Sequence, residues 1–387
     1  MSIGRILVFL LVMGGLGYGL HAFLIARLVR DPALEGGPKT VVTVAIWGLF
    51  GLLFAGMFLS RAPRSIAQPF AWIAFTWMGF AFLLFVALLG GDLFRGVLAL
   101  AAKAGIGAPI DPERRQFVAR AIAAIAGVAA GGVGLRGIVV ARGRVQVKPV
   151  EVALKGLSPA GRGYRIVQLS DVHIGPTIGH DWLAEVVATV NAEKPDLVVI
   201  TGDLVDGPVA DLAAHVAPLK DLLATDGVYF VTGNHEYYSG ADAWLAHLET
   251  LNVKPLRNTR VALEHFDLAG VDDAMAAGEG HGADYERALG GRTTERPLVL
   301  LAHQPKQIVH AAKYGIDLQI SGHTHGGQIS PFQFLVPLQQ PYVAGLYRHD
   351  GRAQIYVSRG TGYWGPPMRV GAPAEITRIE LVDAQSA

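Results

Sequence analysis

The chain has 387 residues, of which 51% are hydrophobic and 17% charged, with a net charge of +1 and no cysteine. Soluble domains carry about 25% charged residues, so part of this chain is too apolar for water. The even charge balance excludes a strong field for nucleic acid, and the missing thiols exclude disulfides and thiolate metal sites.

The apolar excess lies before residue 145. Residues 3–25, 41–60, 70–90 and 117–140 are long runs almost free of charge. A membrane span needs about 20 apolar residues, so these four runs predict transmembrane helices. Trp47, Trp72 and Trp77 fit the aromatic belts of spanning helices. The fourth run is rich in Ala and Gly (Ala123, Ala126, Gly127, Ala130, Gly131, Gly134), which predicts a face for close helix packing. His21 reads as a packed residue rather than a ligand. The chain therefore divides into a transmembrane region, 1–144, and a second domain, 145–387.

An even number of spans leaves both ends of the first region on one side. The loops after the first and third helices carry Arg27, Arg30, Lys39, Arg95, Lys103, Arg114 and Arg115. The opposite side carries Arg5, Arg61, Arg64, Arg142, Arg144 and Lys148. The slight excess places the first set in the cytoplasm. Glu113-Arg114-Arg115-Gln116-Phe117-Val118 also resembles a twin-arginine export signal, although it is internal and lacks a preceding Ser or Thr. Both clues predict a multi-pass protein of the inner cell membrane with its second domain outside the cytoplasm.

From Gln146 onward, strand-like and helix-like runs alternate. Val145–Leu154 alternates as an initial strand. Tyr164–Leu169, Leu197–Ile200, Val228–Val231, Pro297–Ala302 and Ile316–Ile320 are apolar runs of strand length, with later strands over 354–358 and 374–381. Helical spacing marks 180–193 (Leu183, Val186, Val187, Val190), 212–223, 241–251 and 307–314. Residues 261–271 read as a strand pair, and 276–296 as a polar loop with a short helix. The alternation predicts a layered α/β domain.

Polar residues cluster after five of the strands: Asp171 and His173, Asp203, Asn234, His303, and His323 with His325. In α/β sheets, ligands bind beyond the carboxyl ends of strands. An isolated His-x-His flanked by glycine reads most simply as a polar turn. Five strand ends offering metal-binding side chains are a different matter. A mixed oxygen and nitrogen set suits Mn, Fe or Zn better than Mg or Ca. Seven donors exceed one ordinary site and suit two ions bridged by a carboxylate.

The series Asp171-x-His173, Gly202-Asp203, Gly233-Asn234-His235-Glu236, His303 and Gly322-His323-x-His325 resembles the calcineurin-like metallophosphoesterase superfamily. Gly360-Thr361-Gly362 and Pro366-Pro367-Met368-Arg369 extend the likeness to its bacterial YaeI/YkuE-like, membrane-associated phosphodiesterase branch. The resemblance implies a layered β-sandwich flanked by helices, the metallophosphoesterase fold, preceded here by the four-helix region. It implies Asp171, His173 and His325 on one divalent ion, Asn234, His303 and His323 on a second, and Asp203 bridging. His235 would stabilise the transition state or protonate the leaving oxygen, and Glu236 would support the ligands from behind. The implied activity is hydrolysis of a phosphodiester or pyrophosphate by in-line attack of metal-bound hydroxide. The implied substrate is a lipid or nucleotide-lipid such as UDP-diacylglucosamine, presented at the bilayer.

A phosphomonoesterase of the phosphoprotein phosphatase kind shares this core, and the sequence does not separate the two. A non-catalytic membrane scaffold that binds metal is the reading from another class, and it has no need of His235. Arg369 is the substrate-binding candidate, with Arg359 and Trp364 beside it, because an arginine fork suits phosphate oxygens. Asp206, Asp272 and Asp273 divide evenly between supporting roles and solvated loop carboxylates. His180, His215, His247, His265, His281, His310 and His349 lack the glycine setting and read as surface or packing residues.

Overall fold

The computed structural model describes residues 3–59, 64–106, 111–278, 282–292 and 295–383. Residue 60, Arg61 and His281 lie outside them, and the side chains of Arg5 and Arg64 likewise. The chain divides into two compact units, one of residues 1–139 with 365–368, the other of 140–364 with 369–387.

The first unit holds α1 (Ile3–Ile25), α2 (Gly36–Leu59), α3 (Arg64–Lys103) and most of α4 (Pro112–Arg142), all long and apolar enough to cross a membrane. α1 matches its expected stretch, α2 starts five residues early, and α3 and α4 outrun theirs at both ends. A π-type turn, Ala26–Arg30, prolongs α1. The 40 residues of α3 span about 60 Å, twice the hydrocarbon core of a bilayer. The charges that would end it at residue 90 are neutralised instead. Asp92 accepts from Arg27 Nε at 2.8 Å, and Asp31 accepts from Arg27 at 3.0 Å and from Arg95 at 2.9 Å. A contact between Arg95 and Asp92 closes the ring.

Small residues set the helix spacing, as expected. A Cβ on Gly134 would enter the Phe80 ring, and one on Gly91 would enter Ile122. Ala119, Ala126 and Ala130 of α4 are buried, whereas Gly127, Gly131 and Gly132 face open space. His21 is buried. Its Nδ1 donates to Gly17 O at 2.7 Å and its Nε2 accepts from Trp77 Nε1 at 3.0 Å, so it is a satisfied packing residue.

The second unit is a sandwich of two mixed sheets. The first sheet contains β1 (Gln146–Leu154), β2 (Arg165–Leu169), β3 (Leu197–Ile200), β4 (Val228–Phe230), β5 (Val253–Pro255) and β12 (Glu375–Asp383), in the order β1-β12-β2-β3-β4-β5. The second contains β6 (Thr259–Ala262), β7 (Asp267–Gly270), β8 (Leu298–Leu301), β9 (Leu318–Ser321), β10 (Gly345–Arg348) and β11 (Gln354–Val357), in the order β10-β11-β9-β8-β7-β6. Strands β2 to β5 run parallel, as do β7, β8, β9 and β11.

Period-two alternation builds three apolar layers from these strands. Ile166, Leu197, Val199, Val299, Leu301, Leu318 and Ile320 meet between the sheets. Val167, Val198 and Ile200 point outward under α5 (His180–Ala192), α6 (Val209–Val216) and α8 (Ala241–Glu249). Leu298, Leu300, Ile355 and Val357 point outward under α9 (Tyr285–Leu289) and α10 (Ile308–Ala311). This is the expected layered sandwich with helices on both faces. Buried on all sides, the central strands read as continuous apolar runs.

Several boundaries differ from expectation. The helix expected over 212–223 ends as α6 at Val216 and continues as a 3-10 turn, Ala217–Asp221, because Pro218 cannot extend an α-helix. The helix expected over 307–314 is broken into two 3-10 turns around the single turn of α10. Strands β5 and β10 are too short, or too exposed, to show an apolar run.

Candidate metal centre

The fold brings the five expected strand ends to one edge of the sandwich. β2, β3 and β4 are parallel neighbours in one sheet, and β8 and β9 are parallel neighbours in the other. Gln168 fixes the two sheets across this edge, donating to Thr201 Oγ1 at 2.7 Å and to Ser321 O at 2.9 Å. Asn234 arrives differently from the rest, at the start of a short helix, α7 (Asn234–Ser239), entered from Gly233.

The donors form two groups. Asp171, His173 and His325 converge in one, and Asp203, His303 and His323 in the other. His173 Nε2 lies 3.1 Å from His325 Nε2, and His303 Nε2 lies 3.2 Å from His323 Nδ1. Asp203 Oδ2 is 3.1 Å from His303 Nε2 and 3.9 Å from His173 Nε2, so its carboxylate stands between the groups. Asn234 Oδ1 is buried with no hydrogen-bond partner among the described residues. The two clusters of imidazole and carboxylate groups, with an orphaned buried carbonyl at the neighbouring strand end, are a donor set that fits divalent ions.

The backbone is bent to achieve this. Asp171, His173, Asp203, His323 and His325 all take positive φ, between 51° and 73°. Each such residue costs on the order of 1–3 kcal/mol, a strain that clusters at functional sites. Two glycines make room: a Cβ on Gly322 would strike Ser170 Oγ and Asp171 Oδ2, and one on Gly233 would strike the Asp203 carboxylate.

His303 and His173 are oriented from behind. His303 Nδ1 donates to Thr201 O at 2.7 Å, which turns Nε2 toward Asp203 and His323. His173 Nδ1 faces Asp206 at 3.2 Å. Asp171 accepts from His323 N at 2.9 Å. Glu236, fully buried, accepts from the backbone N–H groups of Gly233, Asp203 and Leu204 at 2.7, 3.0 and 2.8 Å. One carboxylate thus holds the turns after β3 and β4 together.

Charge divides the imidazoles. Burial, then the neighbouring His303 charge, pushes His323 down to about 3. Burial, then Arg369, holds His325 well below the usual imidazole value. Both are neutral, the form that ligates. Burial also opposes charge on His303, but Asp203 and Asp171 outweigh it and raise its pKa. His235 follows the same pattern. Burial lowers it, whereas a 2.5 Å hydrogen bond to Asp206 and the charge of Asp203 raise it to about 9.

His235 lies beside both groups, with Nε2 3.9 Å from Asp203 Oδ2. Tyr238 and the exposed Trp364 flank it, each ring 5.5 Å away and edge-on. The Trp364 backbone is fastened by Gln328, which donates to its carbonyl and accepts from its N–H.

The sequence leaves Asp206 undecided, and the structure makes it the shared partner of His173 and His235. Its three-residue offset from Asp203 is the available signal. Asp273, buried, accepts from Gln304 near His303. Asp272 is occupied by a two-pronged pair with Arg257 at 2.8 and 3.0 Å. Arg369 differs from its expected role. It is buried and donates to the carbonyls of His325, Arg359 and Gly362, so it ties down the loop behind His325 rather than presenting a fork to phosphate. Arg359 pairs with Glu375 at 3.7 Å.

A family model described as calcineurin-like phosphoesterase matches residues 164–327, which contain all seven donors and His235. A transmembrane protein with a metallophosphoesterase domain from Bos taurus is 40% identical over 377 residues, covering 92% of this chain and 84% of that one. The protein of the same description from Danio rerio is 41% identical over 265 residues, covering 64% of this chain and 60% of its own length. The metallophosphoesterase YkuE of Bacillus subtilis is 35% identical over 288 residues, covering 70% of this chain and 97% of YkuE.

Proposed function

The chain belongs to the calcineurin-like metallophosphoesterase family, and from that premise we propose that it is a membrane-anchored, two-metal hydrolase of phosphodiester or pyrophosphate bonds. The observation that carries the proposal is the pair of donor groups, with Asp203 Oδ2 3.1 Å from His303 Nε2 in one and 3.9 Å from His173 Nε2 in the other, and with His235 beside them. Asp171, His173 and His325 would hold one ion, and Asn234, His303 and His323 the other. Divalent ions of the Mn, Fe or Zn kind supply Lewis acidity toward phosphoryl oxygens and lower the pKa of bound water.

The protein groups do the rest. His235, protonated below about pH 9 through Asp206, has a proton to give to a departing oxygen. The hydrogen bond from His235 N to Asp203 Oδ1, at 2.9 Å, fixes its helix against the donors. Trp364 and Tyr238 form an aromatic rim over which a substrate's leaving group would pass. The four apolar helices keep this site at a bilayer, which makes an amphiphilic ester the sensible substrate class. The slight excess of Arg and Lys at the helix ends that flank the α1–α2 and α3–α4 connections (Arg27, Arg30, Lys39, Arg95, Lys103, Arg114, Arg115) favours a catalytic domain outside the cytoplasm. A cytosolic nucleotide-lipid such as UDP-diacylglucosamine fits only the opposite topology.

Full-length protein in detergent, supplied with Mn, is expected to hydrolyse an activated aryl phosphodiester. His235→Ala is expected to lower kcat by about 10²–10⁴-fold at unchanged metal content. Equal inactivity of wild type and variant toward diesters, monoesters and pyrophosphates alike would contradict the proposal and leave a metal-binding scaffold. Faster hydrolysis of monoesters would turn it toward a phosphomonoesterase.

A further inference from the structure

Immediately after the His323-x-His325 turn, the chain enters a stretch without any charged residue or histidine, from Gly326 to Tyr347. Two consecutive 3-10 turns, Phe332–Phe334 and Val336–Leu338, form its centre. Their large apolar side chains point to solvent. Phe334 is 73% exposed and Leu338 81%, with Phe332 and Leu335 about half exposed. Leu346 and Tyr347 continue the exposed surface on β10. Other exposed apolar residues of this unit, such as Leu223 and Met275, are isolated in the sequence.

These side chains are held out rather than left loose. Val336 is buried as an anchor. Ser330 N donates to Val370 O at 2.9 Å, and Gln333 donates to Ser330 Oγ at 3.0 Å. Gln340 accepts from Lys306 N at 3.0 Å and donates to Gln304 at 3.2 Å. Gln333 backbone rests on Gly327, where a Cβ would meet it at 2.5 Å. The turn is therefore braced against the loop that carries His323 and His325. A fixed backbone that presents Phe334, Leu335 and Leu338 to water offers them to an apolar partner.

We infer that the Pro331–Leu338 turn is a bilayer-contact element that dips into the lipid interface beside the metal centre. Three observations favour lipid over a protein partner. The stretch lacks the charged rim that gives a protein interface its specificity. Its composition of Phe, Leu, Pro and Tyr matches what sits at the boundary of headgroups and acyl chains. The same polypeptide brings its own membrane. Only Gly143–Val145 separate α4 from β1, a tether of about 10 Å when extended. The turn would then hold the metal centre at headgroup level, so that an amphiphilic ester need not leave the membrane to react.

The chain has no cysteine, so single cysteines report cleanly. Phe334→Cys, Leu338→Cys and the control Leu223→Cys are each labelled with an environment-sensitive fluorophore in full-length protein and placed in lipid nanodiscs. With doxyl-labelled lipid present, fluorescence at 334 and 338 is expected to fall at least twofold and to be blue-shifted, while that at 223 is unchanged. Quenching at 334 and 338 no greater than at 223 overturns the inference. A blue shift without lipid quenching also overturns it, and assigns the turn to a protein partner or a second copy. Unchanged metal content in each variant confirms an intact fold. The readout needs no hydrolysis, so it stands or falls separately from the proposed activity.

Discussion

His235 and Asp206 show what a single pair of residues decides. An imidazole with an ordinary pKa of 6.5 would be mostly neutral at pH 7, but the Asp206 bond and the Asp203 charge carry it to about 9 against the opposing effect of burial. The sign follows directly. The pair's contribution to stability is fully present below about 6.5 and is lost as pH rises through about 9. Histidine-selective NMR titration of metal-free protein is expected to place the His235 midpoint near 9, and Asp206→Asn is expected to bring it down toward 6.5. An unchanged midpoint in Asp206→Asn would show that Asp206 does not set the charge. The residues that the fold gathers into the two groups stood out in the sequence because each lies next to glycine or at the end of an apolar run. Asp206 did not, since a carboxylate in a loop looks the same whether it meets solvent or two histidines. Arg369 misled for the reverse reason: an arginine late in a phosphoesterase-like chain suggests an anion fork, and its burial among carbonyls is invisible in one dimension.

At the scale of elements, the site depends on how turns are fastened to strands. Glu236 ties the entry of α7 to the turn after β3 through three backbone N–H groups. Burial, then the charge of Asp203, pushes its carboxyl up to about 7, so it is held in a setting that resists charge. Removing it leaves three buried donors unpaired, at about 1–3 kcal/mol each. Glu236→Ala is therefore expected to lower the thermal midpoint in detergent by about 6 °C or more and to weaken metal retention. A midpoint within a degree of wild type would show that water replaces the carboxylate freely. Gly233→Ala should act more locally. Its Cβ would displace the Asp203 carboxylate, so metal content measured after dialysis is expected to fall while secondary structure by circular dichroism is kept. Retention of full metal content would contradict the tight turn. Strands β2, β3, β8 and β9 were legible because burial on both faces makes them continuous apolar runs. Strands β5 and β10 were not, since three or four residues at a sheet edge carry too little pattern to outweigh their neighbours.

At the scale of the whole molecule, four apolar helices and one braced sandwich share a chain. Hydropathy located the helices but not the C-terminal end of α3, because the ion-paired ring of Arg27, Asp31, Asp92 and Arg95 removes the net charge that marks a boundary there. A reporter fused after Ala387 is expected to be active outside the cytoplasm and silent within it, and the opposite pattern would reverse the topology and readmit a cytosolic nucleotide-lipid. The central claim is that strand ends from two sheets build two ion sites around one carboxylate. Metal content per chain, measured on purified full-length protein after loading with Mn and dialysis, tests it most directly. Two ions per chain in wild type are expected, falling to about one in His325→Ala and in His323→Ala. A wild-type content of one ion or none, or two ions undiminished in both variants, would contradict it.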